Sequence, residues 1–319
     1  MSLSVPDIGP AVVTLGVFDG MHVGHRQAIE VTAVAARARD AASVAIIFDP
    51  PPIEIIRPGT LVQRLLPRDL VASRVADAGA DHVLEARFDA ALREMAPEEF
   101  LTALAPGIEL RGVAMTPDSA FGRDRAGTLE RVAEIGATAG FDAIAIEPLL
   151  VEGEPVSSTR VRAALAAGDV ATARRLLASP PLLRGTVIHG DRRGRELGFP
   201  TANLAFAYTP ALPALGIYLG AVAVPERNVG PAHPALVSVG VRPTFHDEGR
   251  VLVEVYLLDW DGDLYDTELT VEFTVRLREE RRFESVEALV DQMRADEAEA
   301  RKRLGSGPGS SMATARLLW

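Results

Sequence analysis

Up to about residue 178 this chain alternates apolar runs of strand length with alanine-rich or amphipathic runs of helix length, and after Ser179-Pro180-Pro181 the alternation stops. Residues 12–17, 43–48, 82–87, 108–113 and 143–146 read as buried strands. Residues 26–40, 67–78, 97–105 and 128–139 read as the helices between them. Strand-helix alternation of this kind predicts a doubly wound parallel α/β sheet, whose ligands bind at the carboxyl ends of the strands. A short helix over 170–178 closes this domain, expected at 1–179. Beyond it, runs at 183–188, 216–224, 235–239, 251–259 and 268–277 are separated by Gly and Pro signals. That spacing predicts a small antiparallel β-barrel closed by a helix over 285–303, a second domain at 180–304. The Gly/Ser-rich stretch at 305–319 is expected to be a disordered tail.

Composition narrows the function classes. With 319 residues, each half is long enough to bury a core of its own. No apolar run approaches the ~20 residues of a membrane span, and the N-terminus lacks a signal-peptide pattern, so no membrane partner is expected. The absence of cysteine removes disulfide and thiolate chemistry and fits a cytoplasmic protein. A formal charge of −11 argues against a nucleic-acid partner. Lys302 is the sole lysine, so no lysine is a catalytic candidate.

Three stretches carry chemistry. The first is Gly16-Val17-Phe18-Asp19-Gly20-Met21-His22-Val23-Gly24-His25, between the first strand and the first helix. Helix N-termini attract anions, and Gly16, Gly20 and Gly24 let backbone approach a phosphate closely. His22 and His25 could donate to phosphate oxygens as charge builds in a transition state. Zinc is possible by spacing, but there is no cysteine and no third-ligand cluster stands nearby. The second is Val156-Ser157-Ser158-Thr159-Arg160-Val161-Arg162, where hydroxyls cap a helix and an arginine holds phosphate. The third runs from Gly185 to Asn203, with Gly190, Gly194 and Gly198 suited to a loop over ATP. Thr201 and Asn203 there offer oxygens to phosphates and to Mg²⁺.

The first stretch resembles the nucleotidylyltransferase signature, and its Phe-Asp-Gly-Met-His form resembles the bacterial bifunctional riboflavin kinase/FMN adenylyltransferases, also called FAD synthetases. Val156 to Arg162 resembles that family's Ile-Ser-Ser-Thr-x-Ile-Arg segment. Gly198-Phe199-Pro200-Thr201-Ala202-Asn203 matches the flavokinase core without a change. The resemblance implies a Rossmann-like adenylyltransferase domain followed by a flavokinase barrel with a C-terminal helix. The substrates and products would be ATP, riboflavin, FMN and FAD, with Mg²⁺ as cofactor. It further implies His22, His25 and Arg160 as stabilisers of FMN adenylylation, with Gly16, Asp19, Gly20, Gly24, Ser157, Ser158 and Thr159 at phosphates. In the barrel it implies Gly190, Gly198, Thr201 and Asn203 at ATP, Thr201 and Asn203 also at Mg²⁺. Glu254 would be the base for the ribityl 5′-hydroxyl. Alternation sets Glu254 on the strand face opposite Val253 and Val255. Asp118, Phe121, Arg278, Phe283 and Gln292 would contact flavin, the last three within a closing pattern that also includes Ser285, Leu289 and Asp296.

The chain departs from the family at three places. It has Pro51 where a histidine is common, Thr116 and Ser119 within Gly-x-Asp-Phe-x-Phe-Gly, and Ser238 where asparagine is usual. Three competing readings therefore stay open: a kinase whose first domain is degenerate or redirected to another nucleotide or acceptor, a flavin-binding regulator without turnover, and a nucleotidylyltransferase for another small acceptor, which the nearly intact flavokinase motif disfavours.

Overall fold

The run Gly9–Gly16 is small or β-branched along most of its length, and it becomes the central strand of a parallel sheet because nothing polar stands between Ala11 and Val13, all fully buried. A computed structural model describes residues 5–190, 194, 197–224, 232–241 and 251–305. The chain divides into two compact units, 1–62 with 68–158, and 63–67 with 159–319.

In the first unit the elements are β1 (Gly9–Gly16), α1 (Val23–Arg37), β2 (Ala42–Asp49), α2 (Pro52–Ile56), α3 (Arg68–Asp77), β3 (His82–Arg87), α4 (Ala90–Arg93), α5 (Pro97–Leu104), β4 (Ile108–Met115), α6 (Leu129–Ala139), β5 (Asp142–Ala145), and a short hairpin of β6 (Leu150–Val151) and β7 (Glu154–Pro155). The sheet order is β3-β2-β1-β4-β5 with every neighbour parallel. Val13, Val44, Ile46 and Val113 face one core with Phe100 and Leu104, while Val12, Ala114 and Ile146 face the other with Ala36 of α1. The order reverses between β1 and β4, so the crevice beyond their carboxyl ends is where a doubly wound sheet takes a ligand. The five strands fall where the sequence places them. The helix expected from residue 26 instead begins at Val23, which puts His25 inside it.

The division falls after Ser158, the first residue of α7 (Ser158–Ala166), and α8 (Val170–Leu177) belongs to the second unit, as does the segment 63–67. Then follow β8 (Leu182–Ile188), β9 (Ala202–Ala205), β10 (Gly216–Ala223), β11 (His233–Val241), β12 (Val251–Leu257), β13 (Glu268–Glu279) and α9 (Val286–Gly305). These strands form a closed antiparallel barrel in the order β10-β11-β12-β9-β8-β13, which leaves no free edge. Strand β9 has no counterpart among the five expected strands. Four residues beside Gly and Pro carry too little alternation to signal one. Inside the barrel lie Val237, Val253, Val255 and Phe273, and outside it Ala300 and Leu304 of α9 cover Leu219, Leu236 and Leu258. The tail at 306–319, residues 191–193, 195 and 196 of the Gly-rich run, and 242–245 beyond Ser238 lie outside the described residues. Among the described residues no helix is long and apolar enough to cross a membrane.

At Gly220 of β10 the pairing with β13 shifts register, and a Cβ there would sit 2.2 Å from the Glu272 carbonyl oxygen. Backbone cannot yield as a flexible side chain does, so Gly220→Ala is expected to destabilise the barrel by about 1–3 kcal/mol. Thermal unfolding checks this, and an unchanged or raised melting temperature would refute the close approach.

Candidate active sites

The turn from β1 into α1 is built on backbone that L-residues avoid. Phe18 (φ 53°), Gly20 (φ 84°) and Met21 (φ 43°) all lie in the left-handed region, where each non-glycine costs roughly 1–2 kcal/mol. Phe18 and Met21 are 3% and 1% exposed, so burial of two large apolar side chains offsets that strain. The path delivers His22 to the N-cap of α1, where its Nδ1 accepts the His25 N–H at 3.2 Å. An imidazole that accepts at Nδ1 carries its proton on Nε2, so of the two rings expected to donate to phosphate, His22 has only Nε2–H to offer. The His25 ring stacks on it at 3.6 Å and 15°, with the Phe18 edge 5.3 Å away. His25 Nδ1 is buried with no partner among the described residues. Burial, and secondarily its neighbour His22, hold the His25 pKa well below the usual imidazole value, so it is neutral at pH 7.

Two of the sequence motifs meet here although 139 residues separate them. The Ser158 hydroxyl, at the start of α7, donates to the buried Asp19 carbonyl at 2.8 Å. Gly24 is tight as well, since a Cβ would stand 3.3 Å from the His22 ring and 3.9 Å from Val156 Cβ. Gly16 ends β1, Ser157 precedes α7, and Thr159 and Arg160 occupy its first turn. At the carboxyl end of β4, the Thr116 hydroxyl donates to Asp118 Oδ1 at 2.5 Å and lies 2.6 Å from Ser119 Oγ. Arg125 donates to the Asp118 carbonyl at 3.0 Å. The Phe121 ring is in the core against Phe100, and its backbone pairs with Gly127.

The second unit holds a cavity of about 750 Å³ on the outer face of the barrel. Strand alternation explains its polar wall. Val253 and Val255 point inward, so Glu254 points out, directly opposite Asn203 of β9 on one side and Ser238 of β11 on the other. Directly paired residues hold their Cβ atoms about 4.5–5.5 Å apart, so these three form one polar row. Gly190 and Gly194 fold over the row. A Cβ on Gly190 would meet the Asn203 amide at 2.3 Å, and one on Gly194 would meet Thr201 Oγ1 at 3.2 Å.

Arg278, Phe283 and Asp296 of α9 complete the wall. The structure thus brings Gly190, Thr201, Asn203, Glu254, Arg278 and Phe283 to one cavity. Gln292 reaches it only through its bond to Asp296, at 2.8 Å, and Gly198 sits in the turn before the Thr201 segment without lining the cavity. Trp260 and Tyr265, from the loop between β12 and β13, also line it and were not singled out in the sequence. Their signal was available in Asp259-Trp260-Asp261-Gly262-Asp263, an acidic turn with a large aromatic at its centre.

A family model described as FAD synthetase matches residues 5–160, and one described as riboflavin kinase matches 177–304. A bifunctional riboflavin kinase/FMN adenylyltransferase of Pseudomonas fluorescens is 39% identical over 93% of this chain and 94% of its own. One from Escherichia coli K12 is 34% identical over 92% and 93%. A crystal structure described as a macrolide-efflux protein from Streptococcus pneumoniae is 30% identical, covers 94% of this chain and 96% of its own, and superposes with a TM-score of 0.83.

The depressed His25 pKa fixes the sign of a stability change. The unfolded chain takes up a proton below about pH 6.5 that the folded state refuses, so His25 contributes stability fully present above that pH and lost as pH falls. Wild-type stability should fall on acidification below pH 6.5 by up to about 1.4 kcal/mol per pH unit from this group. In His25→Gln the decline should be shallower by one proton, as urea melts across pH 5–8 would read. Parallel curves for the two proteins would refute the buried, neutral assignment.

Proposed function

The chain belongs to the bifunctional riboflavin kinase/FMN adenylyltransferase family, and we propose that its two sites divide the family's reactions between the residues assembled above. The protein phosphorylates riboflavin to FMN and adenylylates FMN to FAD. We assign the kinase to residues 180–304 and the transferase to 1–179.

In the kinase step the riboflavin 5′-hydroxyl oxygen attacks the γ-phosphorus of ATP, ADP leaves, and Glu254 takes the hydroxyl proton. The observation that carries this assignment is the row Ser238, Glu254, Asn203 across three barrel strands, on the wall of the cavity. Thr201 and Asn203 hold the phosphate end, under Gly190 and Gly194, whose missing side chains leave backbone close to both residues. Those two oxygen-bearing side chains suit Mg²⁺, which binds few protein groups and fills its shell from phosphates and water. When bound, it neutralises charge on the phosphates. Arg278, Phe283 and Gln292 form the flavin end.

In the transferase step an FMN phosphate oxygen attacks the α-phosphorus of ATP in line and pyrophosphate leaves. His22 donates from Nε2–H, His25 lends a neutral ring, and Arg160 supplies positive charge, while Gly16, Asp19, Gly20, Gly24 and the Ser157-Ser158-Thr159 turn shape the phosphate pocket. Asp118 faces the acceptor, and Phe121 anchors its turn from the core. We place both reactions in the cytoplasm, on small soluble substrates.

Incubating the purified protein with riboflavin, ATP and Mg²⁺ and separating the flavins over time tests both halves. FMN should appear first and FAD follow. Glu254→Gln should lower FMN formation by about 10²–10⁴-fold while FAD formation from supplied FMN persists. His22→Ala should do the reverse. FMN that accumulates without FAD would redirect the first domain to another acceptor, and full turnover by Glu254→Gln would remove that residue as base.

A further inference from the structure

Resting on the reading that riboflavin occupies the barrel cavity, we infer that Asp296 is a positioning residue, whose carboxylate sets the Arg278 guanidinium as a flat, charge-neutralised platform for the aromatic ring system of the flavin. Arg278 and Asp296 form an enclosed ion pair, with side chains only 12% and 8% exposed. The contact is two-pronged. Arg278 Nε lies 2.9 and 3.0 Å from the two carboxylate oxygens, and Nη2 lies 2.7 Å from Oδ2. Nη1 donates to the Glu279 carbonyl at 2.9 Å. Every guanidinium nitrogen therefore already donates within the protein.

These bonds lie in the guanidinium plane and commit its Nε–Nη2 edge to Asp296, so they fix a plane on whose faces a ring can stack, while one N–H on each Nη remains for polar groups of a ligand. Phe283 stands 5.8 Å from Arg278 Cζ, and both residues line the cavity. The carboxylate is itself held from behind, since Gln292, one helical turn earlier on α9, donates to Oδ1 at 2.8 Å. A phosphate clamp needs excess positive charge, which the Asp296 carboxylate cancels here. A pair with no net charge and a committed edge suits a neutral, planar ring, which riboflavin has and which stacks on guanidinium. Ile217, directly opposite Arg278 across β10 and β13, with Leu289 and Met293 of α9, supplies the apolar remainder of this end.

The test uses the full chain and reads riboflavin binding by flavin fluorescence alongside steady-state kinetics. Asp296→Asn keeps a hydrogen-bonding oxygen but removes the charge. It should raise the riboflavin Kd and KM about tenfold, with kcat, the KM for ATP and FMN adenylylation little changed. Asp296→Glu, which restores the carboxylate, should recover part of that loss. A buried cation left unpaired costs folding stability, so the double variant Arg278→Met with Asp296→Leu provides a second reading, because replacing a buried pair by apolar groups strands no charge. It should melt near wild type yet bind riboflavin about tenfold more weakly. Unchanged riboflavin affinity in a folded double variant would overturn the platform, and a raised KM for ATP instead would make Arg278 a phosphate group. A loss confined to kcat would also overturn it. Full turnover by Glu254→Gln would sink the cavity reading itself, whereas loss of turnover there with normal riboflavin affinity in the Asp296 variants would sink only the platform.

Discussion

The kinase half depends on the register of β12 between β9 and β11. Because side chains alternate, the demand that Val253 and Val255 fill the barrel leaves Glu254 no choice but the outer face. A slip of one residue would bury a carboxylate and expose two valines, at a cost of several kcal/mol. The hydrophobic interior therefore specifies where Glu254 stands, and the same pairing puts Asn203 and Ser238 on either side of it. Closure of the barrel extends the argument, since a sheet without edges has no neighbouring register to drift into. Helix α9 then fixes the remaining wall by covering Leu219, Leu236 and Leu258 with Ala300 and Leu304, which holds Asp296 and Gln292 one and two turns before Ala300.

The first unit solves a different problem with a different device. The chain turns sharply out of β1 into α1, and the turn is strained at Phe18 and Met21. Strain of this kind persists only where surroundings over-determine it. Here the two residues that carry it are also among the most buried in the unit, and the Ser158 hydroxyl ties the loop down at the Asp19 carbonyl. The histidine pair then falls into place as a consequence. His22 caps the helix, and capping fixes its tautomer and draws the His25 ring over it. One arrangement serves both helix initiation and the placement of imidazoles, which couples the stability of α1 to the protonation of its first turn.

What was legible in the sequence follows from these two devices. The parallel strands could be read because burial on both faces makes them continuous apolar runs, and Glu254 could be read because strict alternation surrounds it. The start of α1 was misread by three residues, since Val23 and Gly24 are poor helix formers and histidine is an uncommon cap. Strand β9 was hidden for the opposite reason, its four residues being defined by partners rather than by their own pattern. Among site residues, the motif glycines, histidines and hydroxyls were visible because local spacing carries them. The Arg278–Asp296 pair was not, because 18 residues, a turn and a helix start intervene and only tertiary packing brings the two together. Phe121 shows the converse, a motif aromatic whose ring the fold uses in the core.

The departures from the family pattern can be weighed on the same physical terms. Pro51 caps α2 without a side-chain bond and Pro52 follows at the first helical position, where a missing N–H costs nothing, so the backbone path there does not need a histidine. Thr116 stands where glycine is common, yet it lies outside the left-handed region, and the turn it begins is closed by the Ser119 N–H to its own carbonyl at 3.0 Å. No conformational requirement for glycine exists at that position. Both substitutions therefore leave the chain path intact and alter only the groups presented along it. At Thr116 the new hydroxyl is immediately engaged, donating to Asp118 and touching Ser119, so the Asp118 carboxylate is held rather than released. The scaffold of the first site survives these changes by construction, and any difference in what it accepts must come from the hydroxyls and prolines themselves.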